Sequence, residues 1–337
     1  MEIMNLPELK PRHHLGRRIA GLLVSFIILS FSIWGVLNRQ FIIDQITVWQ
    51  YNMPVSVSAL AENSGMSDHG KFLFKASKPE LNDKTEFNQN CTMRESRAIV
   101  LGCYKAQRIY VFDVTDERIR GVKAVTAAHE MLHAAYERLG GGELEKVNKL
   151  LEEQLARTTD QGLLDLLDIY AETQPGQEFN ELHSLFGTEV ADLIPDLETY
   201  YKKYFDNRDK VVKEYQRYSQ VFADLNARAE ELKNQLDAKN AAIATATAQH
   251  EKGIAKLAFD VEEFNRCAQA LNCFASQEIF QRARAVLFER QNDLQTVGSQ
   301  INAQIDQYNN DIAELNALGI EAQKLNQSID SHAPVIK

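Results

Sequence analysis

The stretch Ala127-Ala128-His129-Glu130-Met131-Leu132-His133-Ala134-Ala135 decides how this chain is read. It is an H-E-x-x-H motif flanked by small, uncharged residues. On a helix, positions i and i+4 share a face, so His129 and His133 can reach one metal ion together. Glu130, one step round, can then reach a water beside that ion. Zinc hydrolysis needs this set: two neutral imidazoles, an open position for water, and a carboxylate base. The surroundings suit a buried helix. A strand is expected at Arg108 to Val114, the apolar positions Val122, Val125, Met131, Leu132, Ala135 and Leu139 keep helical spacing, and Gly140-Gly141-Gly142 is expected to end the helix.

Such a site needs a third protein ligand. The residues after His133 are Ala134-Ala135-Tyr136-Glu137-Arg138-Leu139, so the metzincin continuation with its glycine and third histidine is missing. The next candidate segment is Asn180-Glu181-Leu182-His183-Ser184-Leu185-Phe186-Gly187-Thr188-Glu189-Val190. In Asn180, Glu181, Ser184 and Phe186-Gly187-Thr188, together with the H-E-x-x-H motif, the chain resembles the gluzincin group of zinc metallopeptidases, the thermolysin-like ones in particular. That resemblance implies Glu181 as third zinc ligand beside His129 and His133, and Glu130 as general base. It covers only two helices. The chain is one residue short between Ser184 and Phe186, and Leu185 stands where those enzymes carry an aspartate that supports a zinc histidine. A helical wheel offers a rival. Phe179, Leu182, Phe186, Val190 and Leu193 share one face of a helix expected from Glu178 to Leu193; His183 flanks that face and Glu181 points away. His183 is therefore the alternative third ligand, with Glu172, Glu178 and Glu189 behind it.

Residues Ile19 to Leu37 form an uncharged run of about 19 residues, enough to cross a bilayer as a helix. Lys10, Arg12, Arg17 and Arg18 precede it and only Arg39 follows closely, which puts the N-terminus in the cytoplasm and the rest outside. No small-residue cleavage pattern follows the run, so an uncleaved anchor is expected rather than a signal peptide. Four cysteines fit an oxidising compartment: Cys91 and Cys103 bracket a strand-like segment from Arg97 to Leu101, and Cys267 and Cys273 sit at a helix–helix turn. Two local disulfides are the simplest account, although spacing alone leaves three pairings open.

Beyond about Asp196 the composition turns helical. Leu287, Leu294, Ile301, Tyr308 and Leu315 recur every seven residues, with Ile305, Ile312 and Leu318 alongside, a coiled-coil pattern. The break near Leu271 to Ser276 predicts an antiparallel hairpin clamped at its tip. The whole reads as an α+β chain of 337 residues, mainly helical, with a small sheet. The expected order is a tail (1–18), a transmembrane helix (19–37), a juxtamembrane segment (38–95), a zincin-like domain (96–205), a helical hairpin (206–330) and a tail (331–337). A net charge of −10 argues against nucleic acid as a partner. The expectation is a membrane-anchored, extracytoplasmic zinc peptidase acting on protein or peptide substrate. The competing expectation is a non-catalytic scaffold, with a structural or inactive zinc site, that binds a protein partner or itself through the coiled coil.

Overall fold

The computed structural model of the protein describes residues 14–91, 100–173, 175–271 and 273–331. Lys10 and Arg12, and most of the strand expected from Arg97 to Leu101, lie outside them. The chain is mostly helical and divides into two compact units, with one boundary inside a long helix at Gln216 and Arg217.

The first unit opens with α1 (His14–Leu37) and α2 (Arg39–Gln50). Within α1, Ile19–Leu37 is the one helix among the described residues long and apolar enough to cross a membrane, and none of it is buried. Next come α3 (Val55–Asn63), α4 (Asp68–Ala76), β1 (Glu80–Asn82) and α5 (Lys84–Asn90). Strands β2 (Gly102–Lys105) and β3 (Arg108–Phe112) lead into α6 (Val122–Glu137), which carries the motif. Then follow α7 (Gly141–Leu155), α8 (Gln161–Thr173), α9 (Glu178–Thr188), α10 (Pro195–Tyr201) and the start of α11 (Arg208–Gln269). The segment from 38 to 95 thus supplies four helices and a strand to the same unit as the motif.

The sheet has the order β1-β3-β2. β1 runs parallel to β3, and β2 antiparallel to it. Ile109 and Val111 of β3 are buried, as alternation along a half-covered strand requires. The β2–β3 turn places Ala106 and Gln107 at φ 50° and 60°. Two-residue hairpin loops that need positive φ at both positions favour Asn and Gly, so this turn carries no sequence signal. Cys91 is bonded to Cys103 of β2.

α6 is the hub. Twelve of its 16 residues are buried, and it packs on α9, α3, α4, β2 and β3. It ends at Glu137, before the expected triple glycine, because Arg138 turns back to donate to the Ala134 carbonyl at 2.8 Å. Gly141 and Gly142 instead begin α7. α9 also stops early, at Thr188 rather than Leu193. The buried Arg208 guanidinium collects the carbonyls of Phe186, Val190 and Ala191 at 3.2, 2.7 and 2.9 Å and pairs with Glu198 at 2.6 Å. A cation on terminal carbonyls replaces the hydrogen bonds that further helix would supply.

The second unit joins the rest of α11 to α12 (Gln277–Ile329), with the short turn Glu117–Ile119 held by an Arg118–Glu321 ion pair. Ion pairs Arg228–Glu314, Lys239–Asp311 and Arg290–Asp260 descend one helix as they climb the other, so the hairpin is antiparallel. Leu232, Leu236 and Leu318 form its buried core, flanked by Tyr308, Ile312 and Leu315. Ile305 is exposed and stands off the seam. Cys267 is bonded to Cys273 at the tip, beside a cluster of Phe264, Phe274 and Phe280.

Candidate metal centre

α6 and α9 bring three side chains to one point. Nitrogens of His129 and His133 and a carboxylate oxygen of Glu181 all lie within 4.8 Å of one another. The closest approaches are 3.5 Å from His129 Nε2 to Glu181 Oε2 and 3.6 Å from His133 Nε2 to Glu181 Oε1. Charge-assisted hydrogen bonds are shorter than this, about 2.7–2.9 Å. Two donors each about 2.0–2.1 Å from a tetrahedral ion lie about 3.4 Å apart, so the spacing fits ligands around an ion better than a direct contact. Glu181 Oε2 is buried with no hydrogen-bond partner. A buried carboxylate oxygen without a donor is costly, and a cation is the natural complement. The residues present therefore fit a metal ion.

Burial pushes the Glu181 carboxyl up, but the His133 and His129 imidazoles beside it outweigh that and hold it below its ordinary value. His133 Nδ1 lies 3.0 Å from Asn180 Oδ1 and 3.2 Å from Ser184 Oγ. Asn180 orients its amide by donating to Gln177 Oε1 at 3.2 Å. With Asn180 Oδ1 as acceptor, His133 carries its proton on Nδ1, and the Nε2 lone pair faces the group. Asn180 and Ser184 thus hold the His133 ring in one orientation.

Glu181 reaches the group because α9 is packed on all sides. Every residue from Glu181 to Thr188 is buried, so the helix has no single inward face. A Cβ on Gly187 would strike the Leu132 side chain and the Tyr201 ring, so glycine there allows α9 to sit close against α6. His183, the rival ligand, faces the other way. It is fully buried, its Nε2 is 2.9 Å from the Tyr200 hydroxyl, and Tyr136, Tyr201 and Tyr204 surround its ring. Burial, then the nearby His133, pushes its pKa down to about 3, so it stays neutral in the core. Glu172, Glu178 and Glu189 are not members of the group, which has three residues among those described.

Glu130 is buried next to the histidines and packs under β2. A Cβ on Gly102 would lie 2.6 Å from Glu130 Oε1 and 2.9 Å from its Cγ. Sequence reading missed Gly102. A lone glycine in a strand is the available signal, since it marks close approach by another group. It also missed the pair that fixes the end of α6: Arg138 Nε and Nη2 each donate to Asp44 of α2 at 2.9 Å, and Nη1 donates to the Tyr104 hydroxyl of β2 at 3.0 Å. Asp44 and Arg138 are 94 residues apart, and no local pattern links them. Comparison with protein-family models, with curated proteins and with solved structures finds no match to this chain.

Proposed function

We propose that the chain is a membrane-anchored, zinc-dependent peptidase. The observation that carries the reading is the grouping of His129, His133 and Glu181 at ligand spacing, with Glu130 next to His129 on the same helix. Two imidazoles and a carboxylate are a donor set of catalytic zinc, and three ligands leave a coordination position for water. Zinc held there supplies Lewis acidity and brings the pKa of a bound water toward neutrality. With the metal bound, Glu130 would accept a proton from water on a carboxylate oxygen as that water adds to a peptide carbonyl. It then delivers the proton to the departing amine nitrogen. Asn180 and Ser184 keep His133 in its ligating tautomer throughout.

The apolar helix Ile19–Leu37 supports anchoring, and the disulfides Cys91–Cys103 and Cys267–Cys273 support an extracytoplasmic site. Lys10, Arg12, Arg17 and Arg18 ahead of the apolar run support an N-terminus in the cytoplasm. The hairpin is the element for a protein partner: Leu271 at its tip is 97 % exposed and Phe259 62 %.

The test is metal analysis of the purified chain, paired with digestion of a broad peptide library with and without chelator. About one zinc per chain and chelator-sensitive cleavage are expected. His129→Ala is expected to lose the metal and the activity together; unchanged zinc stoichiometry in that variant overturns the ligand assignment. Gly102→Ala is expected to keep the zinc and lower turnover about a hundredfold. The new methyl meets Thr126 Cγ2 at 2.5 Å and Glu130 Oε1 and Cγ at 2.6 and 2.9 Å, so the whole Glu130 side chain must shift, and a shift of about 1 Å at a reacting group costs that much. Wild-type turnover in Gly102→Ala overturns the role given to Glu130's position.

A further inference from the structure

A cleft of about 520 Å³ opens between α2, α4 and the C-terminal end of α6. Its apolar walls are Phe41 of α2, Phe72 and Leu73 of α4, and Ala135 and Leu139. Its height above the membrane follows from the chain. The Asn38 N–H closes α1 on the Trp34 carbonyl at 2.9 Å, and the Asn38 carbonyl, from a non-helical residue at φ −106° and ψ 21°, accepts from the Ile42 N–H of α2 at 3.0 Å, so a single residue separates the two helices. Phe41 is four residues past Leu37, so it lies within about 14 Å of the end of the span even on a fully extended chain. The headgroup layer on each side of the hydrocarbon is about 5–8 Å thick. If α1 spans the bilayer as proposed above, the cleft opens at the membrane surface, where the exposed Phe41, Ile46 and Trp49 of α2 also lie.

The polar groups of the cleft are balanced. Arg138 pairs with Asp44, and Lys203 pairs with Glu143. His69 has its pKa lowered, by burial first and by Lys203 second, so it adds no charge at neutral pH. Lys203 also stands 5.6 Å from the ring centroids of Tyr200 and Tyr204. Lys203 can donate to a phosphate while Glu143 and the Tyr204 ring receive an ammonium. We infer that this cleft binds a zwitterionic phospholipid of the outer leaflet, its headgroup at Lys203 and Glu143 and its upper acyl chains against Phe41, Phe72 and Leu139. The inference rests on the anchoring part of the proposed function and is independent of the peptidase part.

The experiment uses the full chain in phosphatidylcholine nanodiscs doped with phosphatidylcholine bearing a photoactivatable diazirine high on one acyl chain. Adducts are mapped by mass spectrometry. Expected are adducts on α1 and also on peptides containing Phe72 and Leu139. Gln45→Trp, which fills the cleft from an exposed position, is expected to cut the cleft adducts at least fivefold and spare those on α1. Leu139→Asp should do the same, and both variants should keep bound zinc. Adducts on α1 alone overturn the lipid site and leave the anchor standing. Absence of adducts from α1 as well overturns the anchor, and the lipid site with it. A more than fivefold preference for a phosphatidylglycerol probe overturns the zwitterionic assignment.

Discussion

Glu130→Gln is expected to retain about one zinc per chain and lose a hundredfold to ten-thousandfold in turnover, the range that a positioned general acid–base contributes. That loss corresponds to about 2.7–5.5 kcal/mol of barrier. Glutamine matches glutamate in size, so it fits the same space beneath Gly102. The ligand atoms of His129, His133 and Glu181 are untouched, which is why metal content should not move. What disappears is the ability of this side chain to accept a proton and return it. The measurement is peptide turnover with zinc stoichiometry on the same preparation. Wild-type turnover in the variant would falsify the base assignment. A variant that lost zinc as well would show that Glu130 acts on the metal group and not on the water.

Arg138→Met is expected to destabilise the first unit by about 3–5 kcal/mol, the usual cost of breaking one side of a buried ion pair. Asp44 is 4 % exposed, and both its oxygens are taken by the Arg138 guanidinium. Without Arg138 that carboxylate is buried with no cation beside it, and only the Gln40 amide still donates to it, at 2.9 Å. The same guanidinium holds the Tyr104 hydroxyl and the Ala134 carbonyl, so three connections at the end of α6 go together. Arg138→Met combined with Asp44→Leu should recover most of the loss, because a pair of apolar side chains carries no desolvation penalty. Thermal or denaturant unfolding of the full chain in detergent, with bound zinc as a second readout, checks both. A single variant within about 0.5 kcal/mol of wild type rules out a structural role for the pair.

Both predictions depend on α6 being held from outside its own sequence. Asp44 grips its end from α2, Gly102 lets β2 lie over Glu130, and Gly187 lets α9 close on Leu132. The hairpin is held differently, by a buried cluster of Leu232, Leu236 and Leu318 between its helices and a disulfide at its tip.

The sequence by itself determined the periodic and the local. His129 and His133 share a face because a helix repeats every 3.6 residues. The cysteines pair locally in the way their spacing suggested, and the heptad of α12 supplies the hairpin seam. The apolar run of α1 is legible from composition alone. Tertiary structure decided the rest. Wheel geometry favours His183 over Glu181 because a wheel assumes one buried face; α9 is enclosed, so the carboxylate meets the histidines while His183 meets tyrosines. Where α6 stops depends on Arg138, which Asp44 holds from 94 residues away, and the end of α9 depends on Arg208, 17 to 22 residues beyond the carbonyls it collects. The β2–β3 turn uses Ala106 and Gln107 in a conformation neither prefers. Such choices are made by contacts between segments distant in sequence, and no local pattern can encode them.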